Sequence, residues 1–125
     1  MDRERYQFEI AFYESLDRRN SNDARVMELL AQLYTRVGRI EEGLSMDLRL
    51  SKARPSDPMV HYNLACSLAL VGQPDDALDM LKQSIQLGYS DFEWMLKDED
   101  LARVRKLPKF GKLLREIGVS ESDTK

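Results

Sequence analysis

Apolar residues recur three and four positions apart along nearly the whole chain, and no stretch alternates with the period of two that a half-buried strand requires. From Arg3 to Arg19, Phe8, Phe12 and Leu16 fall four apart with Tyr6, Ile10 and Tyr13 beside them, which predicts a helix with a wide apolar surface. Asn20-Ser21-Asn22-Asp23 supplies turn formers and an N-cap. Val26, Leu29, Leu30, Leu33 and Val37 mark a second helix from Ala24 to Val37, which Gly38 stops. A third, from Ile40 to Ala53, carries Leu44, Leu48 and Leu50, and Pro55 closes it. Asp57 followed by Pro58 pairs an N-cap with proline at the first helical position, a strong start signal. The helix it opens runs to Val71 on Val60, Leu64 and Leu68, and after Gly72 another runs from Pro74 to Leu87 on Ala77, Leu78, Leu81 and Ile85. The predicted fold class is all-α.

Beyond Gly88 the pattern shortens. Asp91 to Lys97 holds Phe92, Trp94, Met95 and Leu96, enough for two helical turns, and Asp98 restarts a helix through Leu101, Val104 and Leu107. Pro108 opens a last helix on Phe110, Leu113, Leu114 and Ile117, ended by Gly118. Tyr89, Phe92 and Trp94 are expected in the core of this end. Residues 119–125 are polar and expected to be a disordered tail.

The chain also matches itself at an offset of 34 residues (Val60 − Val26 = 34). The offset pairs Leu30 with Leu64, Ala31 with Ala65, Val37 with Val71, Gly38 with Gly72, Leu44 with Leu78, Met46 with Met80 and Asp57 with Asp91. A helix pair of this length cannot bury its apolar face alone, so successive pairs must stack. The expectation is one domain over 1–118, with a leading helix at 3–19, repeats at 24–57 and 58–90, and a degenerate cap at 91–118.

At these residues the chain resembles the tetratricopeptide repeat family: Leu30, Ala31, Tyr34, Gly38 and Pro55 in one unit, Leu64, Ala65, Gly72, Ala77 and Leu81 in the next. It departs at Gly43 and Leu50, where Ala is usual, at Asp47, where an aromatic is usual, and at Tyr89, where a proline often ends the unit. The end resembles the degenerate terminal unit of some bacterial members. The resemblance implies a right-handed superhelix of antiparallel helix pairs that binds a peptide or protein segment in its concave groove, as an adaptor or scaffold. It places Arg25, Glu28, Leu29, Gln32 and Arg36 on that face, with Met59, Tyr62, Asn63, Cys66 and Leu70 from the next unit and Glu93 and Lys97 from the cap. Some members clamp a chaperone's C-terminal carboxylate with two Lys, two Asn and an Arg. The matching positions here are Glu28, Gln32, Asn63, Glu93 and Lys97, and two acids among them would repel a carboxylate, so a chaperone tail is disfavoured.

Charge and candidate chemistry narrow this further. The formal net charge of −3 arises from 22 acidic and 19 basic residues interleaved along the chain, without the basic face that neutralises phosphates, so no nucleic acid is expected. No apolar run is long enough to span a bilayer and the charged start lacks a signal-peptide core, so a cytoplasmic address without a membrane partner is expected. His61 and Cys66 are the single members of their kinds, which offers no zinc pattern and no nucleophile–base pair. Paired acids at Glu41-Glu42 and Asp75-Asp76 sit in first helical turns, where they offset the helix dipole. No enzyme activity, metal or cofactor is expected. The alternative to a groove binder is a homo-oligomerising module: Phe8, Phe12 and Tyr13 have no preceding helix to cover them, and such a face either folds back or makes a two-fold dimer contact.

Overall fold

A computed structural model describes residues 2–119, all helix and connecting turn with no strand among them. The chain divides into two compact units at the Ser56–Asp57 bond. The expectation of a disordered tail falls outside the described residues from 120 onward. Val119 itself is held, its N–H donating to the carbonyl of Leu114 at 2.9 Å.

The first unit contains α1 (Asp2–Arg19), α2 (Ala24–Arg36) and α3 (Ile40–Ala53), with α2 packed against both others. Its core is Ile10, Val26, Leu30, Leu33 and Tyr34, against which Tyr6, Tyr13, Leu16, Val37 and Met46 pack. The stripe α1 buries is therefore Tyr6-Ile10-Tyr13, not the Phe8-Phe12 line that sequence spacing brings forward first. Ile10 is only 2% exposed, whereas Phe8 is 74% and Phe12 52% exposed. Arg49 of α3 ties the unit across its elements: its guanidinium makes a two-toothed contact with Asp17 at 2.8 and 2.9 Å and donates to the Ser21 carbonyl at 2.8 Å. Tyr34 donates to Glu14 at 2.5 Å and lies under the Arg39 guanidinium, 4.7 Å away.

Gly43 explains how closely α2 and α3 approach. A Cβ built there would lie 2.7 Å from Thr35 Oγ1, a distance real carbons do not tolerate. Thr35 in turn donates to the Ala31 carbonyl at 3.0 Å. The equivalent pair 34 residues on is Ala69 and Ala77, both buried. Each unit thus places small residues at the crossing, and the first moves the bulk to the α2 side.

The second unit begins with α4 (Pro58–Leu70) and α5 (Pro74–Gln86). Adding 34 to the bounds of α2 gives those of α4, and Asp23 and Asp57 cap the two helices alike, accepting from the backbone N–H two residues on at 3.0 and 2.9 Å. Gly38 and Gly72 end them at φ of 86° and 88°, a left-handed conformation that costs glycine nothing. Ser84, fully buried on α5, donates to the Pro58 carbonyl at 2.7 Å and fixes the end of that helix against the start of α4.

After α5 the chain continues in short pieces. These are α6 (Phe92–Met95), a 3-10 turn (Glu99–Leu101), α7 (Ala102–Arg105) and α8 (Pro108–Ile117). Met95, Leu101, Val104, Phe110, Leu113 and Leu114 are buried and form the cap's apolar interior. Trp94 does not join them: it is about half exposed, because α6 turns Met95 rather than Trp94 inward. Among the described residues no helix is long and apolar enough to cross a membrane.

Candidate functional site

The face expected to bind is carried by the first helix of each pair. On α2, the buried side chains Val26, Met27, Leu30, Ala31, Leu33 and Tyr34 leave Arg25, Leu29, Gln32 and Arg36 on the opposite, exposed side. Their spacing of four, three and four makes them one stripe. Glu28 is half-buried beside the stripe and paired with Arg54 at 2.7 Å. Arg36 bends back to the ring of Tyr6, 5.5 Å from its centroid, and donates to its hydroxyl at 3.2 Å.

On α4 only some of the side chains assigned to that face are exposed. Met59 and Asn63 are exposed and Leu70 is half-buried. Tyr62 and Cys66 offer no open surface, and the assignment of those two side chains to an accessible face is corrected here. The cap takes them. Asp98, itself buried, accepts the Tyr62 hydroxyl at 2.6 Å, lies 3.7 Å from the Cys66 Sγ, and caps the 3-10 turn by accepting from the Asp100 N–H at 3.0 Å. The ring of Tyr89 stacks on that of Tyr62 with centroids 4.3 Å apart and planes 14° apart. Arg105 clamps the turn from behind, donating to the carbonyls of Asp98 at 2.6 Å and Met95 at 3.0 Å.

Electrostatics follow from this enclosure. Burial, reinforced by the bond to Asp98, pushes the Tyr62 hydroxyl far above the usual tyrosine range, so it stays a donor. Burial likewise lifts Tyr89 to about 12. Asp100 is raised by burial first, then by the charges of Asp98 and Glu99.

Cys66, Asp98 and Asp100 bring one ligand atom each within 4.8 Å of one another, the one such group among the described residues. Sequence reading missed it because 32 residues separate the cysteine from Asp98. The carboxylate of Asp98 is already engaged by Tyr62, Cys66 and the Asp100 backbone, and no buried side-chain nitrogen or oxygen among the described residues lacks a partner. The arrangement serves as a hydrogen-bonded anchor between α4 and the cap. His61 is buried with Nδ1 2.9 Å from the Asp57 carbonyl. A carbonyl only accepts, so Nδ1 carries the proton.

Glu93 and Lys97 of the cap are exposed and pair with each other at 3.6 Å. Of the residues assigned to a dimer contact, Phe8 and Phe12 are exposed. Tyr13 is half-buried against the core of its unit and meets Phe12 edge-on at 5.2 Å, so it belongs to the packed side.

No family model matches the sequence. A comparison with known proteins finds similarity to a chloroplastic protein of Arabidopsis thaliana, 31% identical over 90 residues. The match takes in 70% of this chain and 27% of that relative, so the chain spans about a quarter of the length of the protein it matches.

Proposed function

We propose that the chain is a non-catalytic binding module of the tetratricopeptide type, a right-handed superhelix of helix pairs that takes an extended peptide or protein segment as an adaptor or scaffold. One observation carries the reading. Positions 25, 59 and 93, and positions 29, 63 and 97, each 34 residues apart, are all exposed, while the positions between them on α2 and α4 are buried or half-buried. Arg25, Met59 and Glu93 form one such series and Leu29, Asn63 and Lys97 the other. A repeat that keeps the same two positions open in every unit supports a surface kept for a ligand.

The side chains suit that work. The amide of Asn63 offers two donors and an acceptor to an extended backbone. Leu29 and Met59 are large apolar groups in water, and the flexible thioether adapts to a ligand's side chains. Glu28 is neutralised by Arg54 and Lys97 by Glu93. Arg36 and Arg25 remain as the cations of the stripe, Arg25 keeping only a loose 3.8 Å contact with Asp23, which favours a neutral or mildly acidic segment. Glu93 and the lack of a second asparagine at the matching positions continue to disfavour a chaperone carboxylate tail.

A displayed random-peptide library selected on the intact chain, followed by backbone amide shift mapping with the recovered peptides, tests the reading. The expected result is saturable binding that moves the amides around Leu29, Met59 and Asn63. Asn63→Ala and Leu29→Ala should each weaken it about tenfold, the loss typical of one interface anchor. A library that yields no saturable binder, or shifts confined to α8, would defeat it.

A further inference from the structure

The outward side of α1 carries an exposed apolar pair with an acid towards one end and arginines at the other. Counting about 100° per residue around the helix, Glu4, Phe8, Ala11, Phe12, Ser15 and Arg19 fall within an arc of about 100°, the width of an ordinary packing stripe. That arc lies opposite Tyr6, Ile10 and Tyr13, which are committed to the core of the unit. Phe8 and Phe12 are the exposed large apolar side chains of this helix, one turn apart, with Tyr13 edge-on to Phe12.

Read backwards about its midpoint between residues 11 and 12, the stripe complements itself. Glu4 exchanges with Arg19, Phe8 with Ser15, and Ala11 with Phe12. We infer that α1 pairs antiparallel with α1 of a second copy of this chain about a two-fold axis at that midpoint. Each phenylalanine then enters the space beside a small residue of the partner copy, the large-into-small fit that lets helices approach to about 8–10 Å. Each Glu4 meets the Arg18-Arg19 end of the other helix, which also sets an acid at one helix's positive start against the cations of the other's negative end. A parallel pairing is excluded by the same residues, since it would set Glu4 beside Glu4 and the arginines beside each other. Arg5 does not disturb the contact, because Glu9 of its own helix already pairs with it at 3.0 Å. The contact is isologous and closes at two copies. It uses the side of α1 turned away from α2, so it stands apart from the peptide-binding reading.

Light scattering of the intact chain from micromolar to near-millimolar concentration tests the pairing. The mass should rise from 14.5 kDa towards twice that value. Phe8→Gln with Phe12→Gln should hold the chain at the monomer mass at every concentration, with helical circular dichroism and unfolding midpoint kept because neither ring enters the core. Glu4→Arg alone, or Arg18→Glu with Arg19→Glu alone, should raise the dissociation constant severalfold. All three changes together should restore it, because the charges then meet with their signs exchanged. A wild-type chain that stays monomeric, a mass that climbs past the dimer, a dimer that survives the two glutamines, or a triple variant that fails to recover each overturns the pairing.

Discussion

Tyr62 on α4 donates its hydroxyl to the buried carboxylate of Asp98, 36 positions later, across 2.6 Å. This bond, with the Tyr89 ring stacked on that of Tyr62, ties the irregular end of the chain to α4. A face that would otherwise have been open to a ligand is occupied by the cap's own turn.

Tyr62→Phe keeps the stack and the volume but removes the donor from a buried carboxylate. Hydrogen bonds to charged groups contribute about 1.5–3 kcal/mol. Urea unfolding followed by circular dichroism should show a loss of that size. A loss below a few tenths of a kcal/mol would mean that Asp98 finds a replacement donor and that the bond is not what holds the cap.

Gly43 and Thr35 should behave as a coupled pair. Gly43→Ala gains about 0.5–1 kcal/mol of helix propensity but must displace Thr35 Oγ1, and overpacking of this kind costs about 1–3 kcal/mol. The expected net effect is destabilising. Thr35→Ala in the same chain copies the Ala69–Ala77 arrangement of the second unit and should recover most of the loss. A double-mutant cycle with coupling near zero would show that the two side chains do not compete for the same space.

The Asp17–Arg49 pair should make the first unit sensitive to acid. The hydrogen bonds from Arg49 outweigh the opposing effect of burial and hold the Asp17 carboxyl below its ordinary range. A folded-state value below the unfolded one means that the unfolded chain takes up the proton first as pH falls. The contribution is therefore whole above about pH 4, the unfolded range for Asp, and disappears as pH drops through the folded value. The stability gap between wild type and Asp17→Asn, measured by urea unfolding, should be largest near neutrality and shrink as pH falls below about 4. Arg49→Lys keeps the charge but loses the fork and the bond to the Ser21 carbonyl, and should cost about 1–2 kcal/mol at neutral pH. A gap between wild type and Asp17→Asn that stays constant with pH would remove the pair from the account.

Helix positions and the 34-residue repeat were legible in the sequence because their signals are local. Asp57-Pro58 starts α4, Gly38 and Gly72 stop α2 and α4, and the apolar spacing between them tells which residues turn inward. The family resemblance, rather than the apolar spacing, put Arg25, Leu29, Met59 and Asn63 on one face, and all four are exposed. Periodicity could not rank two apolar stripes on one helix. It brought Phe8 and Phe12 forward on α1 with Tyr6, Ile10 and Tyr13 beside them, and only packing against Leu30 and Tyr34 decided that the second set is the core. Nor could it foresee that Asp98 turns inward, since a lone Asp after a short amphipathic segment reads as a helix cap. Asp98 is that cap, accepting from Asp100, but the same carboxylate also reaches Tyr62 and Cys66. A contact between residues more than thirty positions apart leaves no periodic trace. The sequence by itself therefore determined the helices and their repeat. Tertiary structure alone decided which stripe of α1 stays exposed and which part of α4 the chain covers itself, because both depend on long-range packing.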